Sequence, residues 1–334
     1  MIPPAPDAFE TARPYHHLLR GPRFAGARAS LTFALAIAFA MLSAAAVLGL
    51  ATALGADAAI ESMLEGNEMD PLGFAVGNLV LALLIPCALL ATRVAHGRGA
   101  GRLSSVAGHI RWRWLLRCMA ALLPLFAVYI ALDLAIDRPE DGMHPQWAML
   151  VLIILVSTPL QAAGEEYFAR GLILQNVGSL FADPRFAAGM AAIPAVLVFA
   201  AAHGSPDPWI FTDLAIFGAA CTLLALRTGG LEAPIALHAI NNMVGMIATL
   251  LFGGWMEGFV DADSVGQPLD PLLTLLACAV AVPLLLRLAI REGIAVNATG
   301  TRPPKPRRLV SEVIAALVTL SITLWLIQAL VSLS

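Results

Sequence analysis

The sequence predicts an all-α fold, a polytopic transmembrane helical bundle of about eight to nine helices, on three observations. Apolar residues make up 59% of the chain, charged residues 13%, and the mean hydropathy is +0.81. A soluble domain carries roughly 45–50% apolar and about 25% charged residues and could not hide that much apolar surface. Long apolar runs recur at about 31–54, 72–92, 115–135, 147–169, 187–203, 208–226, 231–252, 271–290 and 311–332, most of them close to the ~20 residues that cross a bilayer. Finally, basic residues alternate between successive loops, as they do when Lys and Arg collect on the cytoplasmic side.

The first run follows a segment with Pro3, Pro4, Pro6 and four arginines. It exceeds the 7–15-residue apolar core of a signal peptide and reads as a retained helix. Basic residues then mark the N-terminal tail (Arg13, Arg20, Arg23, Arg28), the second loop (Arg93, Arg98, Arg102, Arg111, Arg113), the fourth (Arg185), the sixth (Arg227) and the eighth (Arg291, Arg302, Lys305, Arg307, Arg308). The intervening loops are acidic or net negative, with Asp57, Glu61, Glu65, Glu68 and Asp70 in the first, Asp137, Arg138, Glu140 and Asp141 in the third, Asp207 in the fifth and Glu257, Asp261 and Asp263 in the seventh. This pattern places the N-terminus inside and, over nine spans, the C-terminus outside. The division along the chain is then 1–30 as a cytoplasmic tail, 31–145 as N-terminal membrane helices, 146–255 as a polar-motif core and 256–334 as C-terminal helices, with 301–308 a short linker. The net charge of −3 gives no sign of a nucleic acid partner. Cys87, Cys118, Cys221 and Cys278 sit in apolar runs without CxxC spacing and read as small packing residues. Trp112 and Trp114 beside Arg111 and Arg113 read as interfacial anchors.

Ionisable groups at membrane depth cost at least ~2.5–3.5 kcal/mol each, so each needs a partner or a task. Five histidines (His16, His17, His96, His109, His144) fall in tails and loops, leaving His203 and His238 in spans. The fourth span ends in a segment containing Gln161, Glu165, Glu166 and Arg170. Glu166 and Arg170 are four apart with the acid first, the favourable order for a helical ion pair, and Glu166 also counts with Glu165 among the catalytic candidates. Glu165 points elsewhere and shares its face with Gln161, which makes it the candidate general base. The fifth span ends with Phe199 and His203 one turn apart, separated by alanines, and the seventh puts His238 and Asn242 on one face while Asn241 looks away. Singly, each residue is as well explained by helix pairing. Together, three helices offering acid, imidazole and amide groups suggest one site, and Pro159 and Pro194 upstream free backbone carbonyls that could help open a cavity.

Glu-Glu-x-x-x-Arg, Phe-x-x-x-His and His-x-x-x-Asn, in that order on successive spans, resemble the CPBP family of CAAX proteases and bacteriocin-processing enzymes, also called the Abi or type II CAAX prenyl endopeptidase family. The likeness covers about 161–245 and matches Glu165, Glu166, Arg170, Phe199, His203, His238 and Asn242. It implies a core of eight helices and an endopeptidase acting in or at the membrane, with the first Glu and first His preparing a water. The side chains suit that chemistry: Glu165 can take a proton from water, His203 can orient it, and His238 with Asn242 can donate to an oxyanion. Glu165, His203 and His238 also form the His₂Glu set of several hydrolytic zinc sites, which keeps Zn²⁺ open as a cofactor although no HExxH motif is present. The expected partners are the lipid bilayer and a membrane-associated peptide or protein substrate; the expected location is a prokaryotic plasma (inner) membrane. The competing class is a non-catalytic protein, a proton-coupled transporter or a scaffold, using the same cluster; no paired inverted repeat supports a transporter. One geometric condition follows from the topology. Glu165 and His203 can meet only if the fourth helix continues past Arg170, toward Gln175.

Overall fold

Eight helices are long and apolar enough to cross a membrane among the residues that the computed structural model describes, which are 12–21, 24, 26–65, 69–97, 99–136, 142–254, 260 and 262–298. They coincide with the first eight apolar runs. The ninth run and the 301–308 linker lie outside the described residues. The chain is an integral, multi-pass, all-α membrane protein.

The first span is α1 (Gly26–Ala53), followed by the short α2 (Asp57–Glu65). Helices α3 (Pro71–Ala82) and α4 (Leu84–His96) make the second span and α5 (Trp112–Ile136) the third. The fourth runs from Trp147 to Leu180 as α6 (Trp147–Glu166), a π-helical stretch (Tyr167–Ile173) and α7 (Leu174–Leu180). Then come α8 (Pro184–Ala201), α9 (Pro208–Thr228), α10 (Glu232–Phe252) and α11 (Leu269–Arg291). Three helices begin at an Asp-Pro pair. Asp70, Asp183 and Asp207 each accept a hydrogen bond from a first-turn amide, at 2.7, 2.7 and 2.8 Å respectively, and proline occupies the first helical position where no N–H is needed.

Helix α10 is the packing centre, set against α5, α6 and α9, while α3 lies on α6 and α11 on α9. The α3–α6 approach is very close: a Cβ on Gly164 would stand 2.0 Å from the Leu81 carbonyl oxygen, so glycine is required beside Glu165. All four cysteines are buried and free. Trp112 is 67% exposed, but Trp114 is buried in the core and is not an interfacial anchor.

The basic segments meet at one end of the bundle. Strand β1 (Arg13–Pro14) pairs antiparallel with β2 (Asn297–Ala298), joining the N-terminal segment to the chain beyond α11. Buried Tyr15 donates to the Leu103 carbonyl, and Arg20 donates to the Ser179 carbonyl at 2.9 Å. Arg111 grips Glu232 through Nε–Oε1 at 2.9 Å and Nη2–Oε2 at 2.7 Å, and also reaches the carbonyls of Thr228 and Ala295. Residues 13–20 are therefore a packed clasp rather than a free tail. His16, His17 and His144 are buried too, and His96, the last residue of α4, lies inside the structure 3.0 Å from Thr32 Oγ1 and 3.3 Å from Asn176 Oδ1. The sequence reading of these as loop histidines missed that packing, because hydropathy along the chain does not report contacts across it.

Two outcomes test this packing. Gly164→Ala should lower detergent-solubilised stability by about 1–3 kcal/mol through overpacking, whereas Gly49→Ala, with open space at its Cβ, should leave the melting temperature unchanged or slightly raised. Burial, aided by the positive charges of His16, Arg20 and Arg13, lowers the His17 pKa from 6.5 to about 4. Between those values the unfolded segment binds a proton that the folded clasp refuses, so its stability falls as pH drops from 6.5 toward 4. Hydrogen exchange at 13–20 should accelerate over that window, and His17→Gln should flatten the dependence.

Candidate active site

The site is built outward from a buried ion pair. Glu166 Oε1 accepts from Arg170 Nη1 and from His238 Nδ1, both at 2.9 Å, and the side chains of Glu166 and Arg170 are 0% exposed. The intrahelical pair expected from the spacing is present, and it is shared with a second helix. Arg170 in turn donates to the Gly218 carbonyl at 2.8 Å and to Thr222 Oγ1 at 3.3 Å, and its guanidinium carbon lies 4.4 Å from the centroid of the Phe199 ring. Gly218 is small for a reason: a Cβ there would approach Arg170 to 3.1 Å and Phe199 to 3.2 Å. These partners on α9 give the buried cation the hydrogen bonds and the aromatic face that burial demands.

A carboxylate can only accept, so His238 donates through Nδ1 and is fixed in orientation. Its Nε2 consequently faces Glu165, 3.8 Å from Oε2. Glu165 differs from its neighbour. Its side chain is 18% exposed, and its Oε1 accepts from Gln161 Nε2 on the same face, as the sequence spacing requires. Gln161 Oε1 accepts from Asn242 Nδ2 at 3.3 Å, and Asn242 Oδ1 accepts from Asn241 at 3.2 Å. Asn242 thus shares a face with His238, and Asn241 takes part through its neighbour.

Phe199 joins the remaining groups. Its ring centroid is 4.9 Å from that of His203, 5.6 Å from that of His238 and 6.4 Å from that of Phe217. His203 donates through Nδ1 to the Phe199 carbonyl at 2.9 Å, which leaves Nε2 as the acceptor in the neutral ring. His203 lies just beyond α8, which ends at Ala201, rather than inside the span.

Continuity of the fourth span solves the depth problem that the topology raises. Leu180 is 15 residues beyond Glu165 and His203 is 19 residues beyond Pro184. At 1.5 Å per residue these are about 22 and 28 Å, the second shortened by the turn after Ala201, so the two sit at similar depth. The π-helical stretch Tyr167–Ile173 falls directly after the paired glutamates and contains Arg170; such stretches widen a helix locally and occur often at functional sites.

The residues named for a zinc site are not gathered as ligands. Among the described residues there is no group of three or more His, Cys, Asp or Glu able to hold a metal ion. Glu165 and His238 face each other, while His203 joins them through the Phe199 ring.

Residues 146–244, which hold this entire arrangement, match the family model of Type II CAAX prenyl endopeptidase Rce1-like proteins. The part of the chain that carries the site is therefore similar to the CAAX prenyl endopeptidase family. The chain is also similar to the uncharacterized protein YyaK of Bacillus subtilis (strain 168), at 29% identity over 133 residues. That similarity covers 35% of this chain and 44% of YyaK, so the chain spans less than half the length of this relative. No solved structure matches.

Sequence reasoning missed the support around these motifs. Gly218 and Thr222 carry no polar signal that sets them apart from other small residues in α9. Glu232 could have been found, because a lone acid in the first turn of an apolar run needs a cation, and Arg111 supplies it. The ion pair generates the test for this site. Glu166→Gln or Arg170→Met alone leaves a buried group unpaired and should cost about 3–5 kcal/mol. The double variant should lose clearly less than the sum in thermal melts, and additive losses would refute the coupling.

Proposed function

We propose that this chain is an intramembrane endopeptidase, resident in a prokaryotic plasma membrane, that hydrolyses a peptide bond in a membrane-associated polypeptide with a water activated by Glu165 and His203. The observation that carries the reading is the asymmetry of the two adjacent glutamates. Glu166 is fully buried and committed to Arg170 and His238, whereas Glu165 keeps an exposed edge and faces His238 Nε2 at 3.8 Å. One acid is structural and the other is available for proton transfer.

In this mechanism the water stands between Glu165 and the Nε2 of His203, which accepts one of its hydrogens and aims its oxygen. Glu165 takes the other proton as the oxygen bonds to the peptide carbonyl carbon. Charge then develops on the carbonyl oxygen. Protonated His238, anchored through Nδ1, donates to it from Nε2, and Asn242 Nδ2 is the second donor. Collapse of the tetrahedral intermediate breaks the C–N bond, and Glu165 returns its proton to the leaving amine. Phe199 lies between the two histidine rings, and Glu166, paired with Arg170, is the His238 anchor. No step runs through a metal, since the donor set does not fit one as placed; a chelator arm in the assay decides whether zinc takes part.

Cleavage of a membrane-peptide library by the purified protein checks the assignment. Glu165→Ala, His203→Ala and His238→Ala should each lower the rate by at least about 10²-fold, the scale of a lost general base or oxyanion donor. Asn242→Ala should lower kcat with little change in KM. Wild-type rates from Glu165→Ala would end the reading, and inhibition by a chelator, reversed by Zn²⁺, would replace the water-only mechanism.

A further inference from the structure

The packing around the site is divided by depth. Toward the basic end it is closed: every residue of 231–240 on α10 is buried, as is every residue of 166–179 except Phe168 and Val177. The Arg111–Glu232 bridge, the hydrogen bond between Ser104 and Tyr167 hydroxyls, and the bond from Gln175 to the Arg102 carbonyl seal this layer. Away from the basic end, all seven residues of 241–247 are partly exposed. Seven residues cover every direction around a helix, at 3.6 per turn. Met243, Met246 and Ile247 still pack on the cluster around Leu150 and Ile154, and Val244 on the main core, so this stretch is contacted by its neighbours without being sealed by them as 231–240 is. The residues at this level include Asn241, Asn242 and the exposed edge of Glu165, and His203 lies beside the exposed Gly204. Polar groups at membrane depth that are neither packed nor facing lipid line water.

The two ends are opposite in charge. The basic clasp, with Arg13, Arg20 and Arg111, marks the closed end as cytoplasmic. The open end carries Asp57, Asp70, Asp207, Asp263 and Asp270, with no Lys or Arg among its described residues.

We infer that the site opens to the extracytoplasmic face, so that its substrate is a polypeptide segment presented on the outer side of the membrane rather than a C-terminus delivered from the cytosol. The substrate class rests on the proposed peptidase function; the direction of opening does not. Water and the peptide backbone reach Glu165 past Asn241 and the turn after α8, while the layer below the site excludes the cytosol.

Single-cysteine additions test the direction, because the four native thiols are buried. In spheroplasts expressing the full chain, a membrane-impermeant maleimide should label Ser205→Cys and Asn241→Cys, and should label Arg185→Cys only after permeabilisation. Val244→Cys, at the same open level, substitutes should Asn241→Cys fail to fold. Reaction of the cavity-level cysteine only after permeabilisation, or in neither condition while Ser205→Cys reacts, overturns the inference. Repeating the labelling with Glu165→Ala separates the two readings: an outward-opening cavity in a protein whose cleavage does not depend on Glu165 would remove the peptidase mechanism and leave the direction standing.

Discussion

Glu166 and Arg170 lie four residues apart at membrane depth with no solvent exposure, and the structure around them answers that constraint. A buried ion pair recovers the cost of desolvation only if its geometry is good and its remaining donors and acceptors are used. Arg170 therefore recruits Gly218, Thr222 and the Phe199 ring, and Glu166 recruits His238. Those partners come from α8, α9 and α10, so one electrostatic requirement sets the mutual placement of four membrane segments. The same pair fixes the orientation of the His238 ring. A group that began as a liability in lipid thus becomes the reference point from which the reactive groups are aimed.

Close backbone approach is the second requirement. Gly164 admits the Leu81 carbonyl, and Gly218 admits both Arg170 and Phe199. Small residues at helix interfaces do in lipid what apolar side chains do in a soluble core, by allowing dispersion contact and short hydrogen bonds where no hydrophobic driving force separates lipid from protein. The outcome is a fully buried layer toward the basic end and a partly exposed level beyond it. The cluster lies where the two meet, with Glu166 and Arg170 in the buried layer and the edge of Glu165 partly exposed.

Much of the candidate site was legible in the sequence because helical spacing dictates faces. Glu166 with Arg170, Gln161 with Glu165, and Phe199 with His203 are each i, i+4 pairs, and each pair is in contact. The need for a fourth helix extending past Arg170 was legible as well, since loop charges fix the direction of each span. Other features were hidden. Residues 13–20 look like a polar tail but pack against Leu103 and Ser179, and Trp114 looks like a membrane anchor but is buried. In both cases the partner lies far away in sequence, and composition carries no record of it.

The sequence by itself determined the class of molecule, the number and order of the spans over the described residues, and the identity of the polar residues that share helix faces. Those are consequences of hydropathy, periodicity and loop charge, all local properties. Tertiary structure alone decided that Glu166 is shared between Arg170 and His238, that Glu165 remains available, and that the packed and open levels divide at the cluster. The physical reason is that hydrogen-bond sharing and packing density depend on distances between helices, and those are set by which residues are small enough to let two backbones meet.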